Sequence, residues 1–268
     1  MQRALYLFGL ARRGLLPDLE VAGLDDDTPL LVEDFANVTA LLCEVQLEEF
    51  QGPSAETRLR DLAWVGPKAV RHERVIEHAM QHSPVLPAPF GTLFSSRQSL
   101  HRLIEGNLAD IDAFLDRVAD KDEWAVKGLA SKAEARERLL AERIDRESEM
   151  LASMSQGMRY FKERQIQAAV EKEIGRWIKQ TLQEVAIDLS GCSADWYSRK
   201  IVLRVQEGTD KETVVNWAFL VGRSSVDDFR SRIHRANDEY SQYGLLFELS
   251  GPWPAYSFAP QLKMEAET

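Results

Sequence analysis

The chain has 268 residues, of which 44% are apolar, so it can bury one large core or two ordinary ones, and its length favours two domains. Its formal net charge of −10 argues against a nucleic-acid partner, because binding to the phosphate backbone requires clustered lysine and arginine. We expect neither membrane insertion nor export, since there is no apolar run of roughly 18 residues and no signal-peptide pattern.

The first 122 residues have the pattern of a small, mainly antiparallel sheet with helices. Alternating aromatic and aliphatic residues predict a strand at 3–10, and further strands are predicted at 30–33 and 37–47. In the third of these strands, the alternate residues from Thr39 to Leu47 are expected to face the core. Gly52 and Pro53 then end the sheet portion, and Ser54 is a candidate N-cap for a helix over 55–64.

The stretch from Trp64 to Ser96 is rich in structural signals. Gly66-Pro67 predicts a break followed by a new helix, which must end before Ser83-Pro84 because a proline disfavours helical geometry in the residue before it. Three prolines predict an extended segment over 84–89, and large apolar residues two apart predict a short strand over 90–94.

One amphipathic helix is predicted after this stretch, with Ser95 or Ser96 as its cap. Its apolar face is expected to consist of Leu100, Leu103, Ile104, Asn107, Ile111, Phe114, Leu115 and Val118. The polar run Asp120-Lys121-Asp122 follows and is the best candidate for a domain boundary, which gives an N-terminal domain over 1–122.

The second domain is predicted over 123–250 from the order of its elements. Strands are expected at 124–130, 200–205, 213–221 and 245–249, and helices at 131–189 and 225–243. This β-α-β-β-α-β order predicts a ferredoxin-like fold in which the third strand is interior and the last strand is an edge.

A helical insertion distinguishes this second domain. The segment 131–189 is far longer than a crossover needs, and serines and a glycine interrupt it near residue 155, so we expect a hairpin of two helices. The apolar face of the second helix is predicted to consist of Met158, Phe161, Ile166, Val170, Ile174, Trp177, Ile178, Leu182 and Val185.

Known catalytic and metal-binding motifs are missing from the sequence. There is no GxSxG, GxxxxGK[ST] or GxGxxG motif, and His72-Glu73 lacks the second histidine of a zinc-protease helix, since Ile76 stands there. His78 and His82 share a helical face, but a solvated surface explains them best, and Cys43 and Cys192 fit two reduced thiols. We therefore expect no enzyme activity, no cofactor and no metal.

The C-terminal segment 251–268 is an aromatic, proline-containing tail. Two prolines hold Trp253, Tyr256 and Phe258 on an extended backbone that leaves the predicted edge strand. The tail either packs back on its own domain or presents an aromatic strip to a partner, since tryptophan and tyrosine dominate interface hot spots.

Four segments together resemble the gas vesicle protein F/L family. They are Ala4–Gly9 (ALYLFG), the helix with His72-Glu73 that runs into PVLPAPFGTLF, Trp124–Lys127 (WAVK) and Gly251–Phe258 (GPWPAYSF). They cover nearly the whole chain in the family's order. Ala88 stands where the family has a basic residue, which weakens an anion-binding role for that loop, and Ala255 stands where a second proline is usual.

The resemblance implies a non-enzymatic protein of gas vesicle assembly that is cytoplasmic, associated with the vesicle and in contact with its hydrophobic main shell protein. Other vesicle accessory proteins are further expected partners. The candidate shell-protein contacts are Trp253, Tyr256, Phe258, Phe90 and Phe94. The alternative is a regulatory module that binds a small ligand on the ferredoxin-like domain.

Overall fold

The computed structural model describes residues 2–19, 21–201 and 211–263, which fold as two compact units. The first unit holds the described residues up to Glu123 together with 252–263, and the second holds residues 124–251. Both units combine sheet and helix, which confirms the predicted α+β class.

The first unit is built on an antiparallel sheet. Its strands are β1 (Arg3–Arg12), β2 (Leu31–Phe35), β3 (Val38–Gln46), β4 (Val85–Pro87) and β5 (Leu93–Phe94). The strand order is β2-β3-β1-β4, and β5 also pairs with β1. Its helices are α1 (Leu47–Phe50), α2 (Pro53–Arg60), α3 (Leu62–Met80), α4 (Arg97–Gly106) and α5 (Leu108–Arg117).

Strand β3 is more buried than its alternation predicts. Leu41, Cys43 and Val45 lie in the core as expected, but Val38 and Leu42 on the opposite face are also fully buried. The sheet is therefore covered on both faces along the first half of this strand, while Glu44 and Gln46 reach solvent.

Two predicted helix starts in the first unit are wrong. Helix α2 begins at Pro53 with Gly52 as its N-cap, in a left-handed conformation (φ +95°), so Ser54 is not the cap. Helix α3 begins at Leu62, because the Asp61 side chain accepts a hydrogen bond from the N–H of Ala63 and caps the helix there. It then continues through Pro67.

Two other elements are shorter than predicted. Phe90 and Gly91 form a turn, in which Gly91 has a φ of +85°, so the strand over 90–94 is reduced to β5. The single helix predicted after Ser96 is interrupted at Asn107 and forms α4 and α5, although every residue of its predicted apolar face is buried.

The second unit contains most of β6 (Lys121–Ala130), β7 (Asp195–Ser198), β8 (Glu212–Gly222) and most of β9 (Leu245–Trp253). Residues 121–123 of β6 and 252–253 of β9 belong to the first unit. In the described residues the strand order is β7-β8-β6-β9, so the third predicted strand is interior and the last is an edge. The strand paired with β8 is β7, whereas most of the predicted strand over 200–205 lies outside the described residues. The ferredoxin-like assignment stays a prediction.

The helices of the second unit are α6 (Lys132–Arg146), α7 (Ser148–Ala152), α8 (Gln156–Ser190) and α9 (Val226–Tyr240). Helices α6 and α8 form a hairpin with a small core of Leu151, Ile166 and Val170. The second half of α8 and helix α9 pack on the sheet through residues that include Val185, Leu189 and Phe229. Within the described ranges, no helix is both long enough and apolar enough to cross a membrane.

Candidate functional site: a buried histidine cluster, the C-terminal strap and exposed apolar residues

His72 on α3 is the centre of a buried polar cluster in the first unit, with only 1% of its surface exposed. Its Nδ1 lies 2.8 Å from the hydroxyl of Tyr6, and its Nε2 lies 3.0 Å from the carbonyl of Ala88. Because a carbonyl can only accept, Nε2 carries the proton and Nδ1 accepts from Tyr6. The N–H of Gly91 donates in turn to the Tyr6 oxygen at 3.2 Å. The imidazole thus joins α3 to β1 and to the segment that follows β4.

The C-terminal segment completes this cluster. The hydroxyl of Tyr256 lies 3.1 Å from His72 Nε2 and donates to Glu73 Oε1 at 2.9 Å. The other carboxylate oxygen of Glu73 is buried and has no hydrogen-bond partner among the described residues. This carboxyl group is therefore only half satisfied.

Burial keeps His72, Tyr6 and Tyr256 uncharged at neutral pH. It lowers the pKa of His72 to about 4 and raises the pKa values of Tyr6 and Tyr256 well above their ordinary range. Burial also raises the pKa of Glu73, although the hydrogen bond from Tyr256 opposes this. The neutral imidazole hydrogen-bonds to two phenols and so joins the chain segments that carry them. No group of three or more metal-ligating side chains occurs within the described residues.

We call residues 255–263 the C-terminal strap, and two further buried side chains hold its backbone. Glu123 accepts from the N–H of Ser257 at 2.8 Å and from its hydroxyl at 3.1 Å. Asn107 donates to the carbonyl of Lys263 at 3.0 Å and accepts from its N–H at 2.8 Å. Phe258 is 4% exposed, with the Arg117 guanidinium 5.6 Å from its ring centre.

The five predicted contact residues fall into different environments. Trp253, at the end of β9, is 40% exposed. Phe90 is half-buried against the rings of Tyr6 and His72, so the structure brings it and Tyr256 to the same cluster. Phe94 is buried on β5, and Phe258 is buried beneath Arg117. Of the five, Trp253 is the most exposed side chain.

A second set of exposed apolar side chains lies at the tip of the hairpin. Phe161 is 71% exposed, and Met150, Met158 and Tyr160 are exposed as well. The prediction that Met158 and Phe161 belong to the buried face of α8 is wrong, because that face begins at Ile166, where α8 first meets the hairpin core. We call these four residues the hairpin tip.

Three residues of this site, Asn107, His72 and Glu123, were not among the predicted contact residues, and only the first has a clear signal in the sequence. Asn107 interrupts an otherwise apolar helical face, and a polar residue in such a position needs a hydrogen-bond partner. The motif around His72 suggests only an incomplete zinc site, and nothing in the sequence indicates its role in joining segments. Nothing in the pattern around Glu123 distinguishes it from the neighbouring acidic residues.

The family model described as "Gas vesicle synthesis protein GvpL/GvpF" matches residues 4–260. The chain belongs to this family. The curated "Gas vesicle protein L" of Streptomyces sp. (strain CB03234) is 26% identical to it over 262 residues, which cover 96% of this chain and 93% of the relative. The resemblance seen in the four sequence segments is thereby confirmed.

Two solved structures of the GvpL/GvpF family share the fold. The crystal structure of GvpF from Anabaena sp. PCC7120 matches with a TM-score of 0.67 at 17% identity, covering 99% of this chain and 100% of that one. GvpF from Microcystis aeruginosa gives a TM-score of 0.67 at 16% identity, covering 96% and 99%. The architecture thus recurs in family members whose sequences differ at most positions.

Proposed function

We propose that this chain supports gas vesicle assembly by binding the main, hydrophobic shell protein in the cytoplasm, in association with the vesicle. The observation that carries the proposal is the family match over nearly the whole chain, which makes this a gas vesicle-related protein. Contacts with other vesicle accessory proteins belong to the same proposal.

The charge and surface of the chain support a role in handling an apolar partner. Shell subunits must keep their apolar surfaces covered until they polymerise, since such surfaces otherwise associate at random. A partner with a net charge of −10 keeps a complex soluble while its own apolar side chains cover the subunit.

The end of β9 is the surface that we propose for this contact. β9 is an edge strand among the described residues, so its backbone can pair with an incoming strand. Trp253 stands on the same strand with 40% of its surface exposed, which suits an interface anchor. Tyr256 and Phe258 follow it in the chain and fix the position of this strand end through their own packing.

A single substitution tests this surface most sharply. Trp253→Ala is expected to weaken capture of purified shell protein at least tenfold, with an unchanged circular dichroism spectrum. Replacing Tyr256 and Phe258 as well would remove packed side chains and destabilise the chain. Weaker capture by such a variant could then result from lower stability instead of a lost contact.

Phe161→Ala at the hairpin tip is the matched control, because it removes an even more exposed aromatic ring from the other unit. It is expected to leave capture unchanged. If Phe161→Ala weakens capture and Trp253→Ala does not, the proposed surface is wrong, although the proposed function stands. If the unaltered chain captures no shell protein, the proposed function itself is wrong.

A further inference from the structure

The C-terminal strap lies in a site that has the features of a peptide-binding groove. Three buried polar side chains from separate elements bind it: His72 of α3, Asn107 between α4 and α5, and Glu123 of β6. Asn107 makes both bonds to the backbone of Lys263, as a neighbouring strand would. We call these three side chains, with the pocket around Phe258, the strap site.

An empty strap site would be unfavourable. Asn107 and Glu123 are both buried, and on the strap they bind two backbone N–H groups and one backbone carbonyl. Removing the strap would break these bonds, and Asn107 would keep its bond to the carbonyl of Leu103. The site therefore favours refilling, and any chain with the same sequence satisfies it equally well.

The connection to the strap is short and stiff. Strand β9 ends at Trp253, and Pro254 alone separates it from the strap. Pro252 and Pro254 restrict the backbone of this connection. Short, constrained hinges favour exchange of the element that follows them, because opening the hinge relieves the constraint.

We propose that the strap site is an exchangeable peptide-binding site and that a second copy of this chain donates its strap to it. The second copy is the occupant that the chemistry fits, because the site contacts the hydroxyl of Tyr256, the side chain of Ser257 and the ring of Phe258. Two copies that exchange straps recover every one of these contacts, and the number of hydrogen bonds does not change.

A labelled peptide of residues 252–263 (PWPAYSFAPQLK) tests whether the site accepts a strap in trans. The full chain with Tyr256→Ala and Phe258→Ala keeps the site but has a weakened strap of its own. This variant is expected to bind the peptide at least tenfold more tightly than the unaltered chain, measured by fluorescence anisotropy. A control peptide with the same two alanines is expected to bind neither protein.

Mixed copies then test the exchange itself. The strap-weakened chain is combined with a second chain that carries Asn107→Ala and Glu123→Gln, which weaken the site and leave the strap intact. Native mass spectrometry is expected to show a one-to-one complex of the two variants and at least fivefold less of either homodimer.

A variant that binds no peptide although its circular dichroism spectrum is native overturns the proposal, and so does the lack of a one-to-one complex between folded variants. Should the double substitution unfold the chain, Tyr256→Phe takes its place, since it keeps the ring and removes the hydroxyl contacts. Lack of peptide binding to that folded variant overturns the proposal equally. Neither result bears on shell-protein capture, which the Trp253→Ala experiment measures.

Discussion

His72 connects three parts of the first unit through one imidazole ring. It contacts β1 through Tyr6, the segment after β4 through Ala88, and the strap through Tyr256. These contacts require the neutral ring, in which one nitrogen donates and the other accepts. In this chain, His72 therefore links its helix to the segment PVLPAPFGTLF that follows it, through the hydrogen bond to Ala88.

The neutral state of His72 makes stability depend on pH. Its pKa falls from an ordinary 6.5 to about 4 on folding, so its contribution is complete above pH 6.5 and is lost as the pH falls towards 4. This difference in pKa between the unfolded and folded chain corresponds to about 3 kcal/mol. Glu73 acts in the opposite direction, because a raised pKa gives stability that is lost as the pH rises.

We expect His72→Gln to flatten the pH dependence of the free energy of unfolding between pH 6.5 and 4.5. Glutamine can donate to Ala88 and accept from Tyr6, but it does not titrate in this range. The measurement is urea denaturation at several pH values, with the exposed His234→Gln as the control. An equally steep pH dependence in both variants would show that His72 is not the group responsible.

For Asn107, the sequence predicts burial but not the hydrogen-bond partner. Its place on the buried face of α4 and α5 was predicted from spacing, and the structure buries it there. Its partner, the backbone of Lys263, is 156 residues away in sequence. Periodicity identifies which side of a helix is buried, but it carries no information about what lies opposite.

At the scale of elements, local signals predict whether a helix or strand exists better than where it ends. The Gly66-Pro67 pair predicts a break, yet α3 begins earlier, at the cap formed by Asp61, and runs through it. In β3, alternation predicts one buried face, and much of the other face is buried as well. Both errors arise because tertiary packing overrides a local preference.

Helix α8 also shows that apolar spacing alone does not determine which residues are buried. Its apolar spacing continues from Ile166 towards the N-terminus through Phe161 and Met158, but the helices α6 and α7 provide no contact that buries these two residues. We therefore expect neighbouring apolar residues of one helix to differ sharply in their contribution to stability.

Ile166→Ala is expected to lower the free energy of unfolding by about 2–5 kcal/mol, because it leaves a cavity in the hairpin core. Phe161→Ala, only five residues away, is expected to change it by less than about 0.5 kcal/mol, because the ring is 71% exposed. Urea denaturation of both variants compares them directly. A similar loss in both would mean that the hairpin tip is packed in solution.

At the scale of the whole molecule, the sequence predicts the class and the family but not the path of the chain end. Mixed sheet and helix, the interior position of β8 and the edge position of β9 follow from the order of elements and agree with the structure. The strap belongs to the first unit although it follows the last strand of the second. The residues that fix it, among them Glu123, have no distinctive spacing in the sequence.

The shell-protein proposal concerns what the whole molecule does for a partner, so its most direct test is made in cells that form gas vesicles. Vesicles are counted by electron microscopy, and the sedimenting fraction of the shell protein is measured, in a strain that lacks this chain and after the chain is restored. We predict few vesicles and aggregated shell protein without it, and recovery of both when it returns. Normal vesicles and soluble shell protein in the deletion strain would contradict the account.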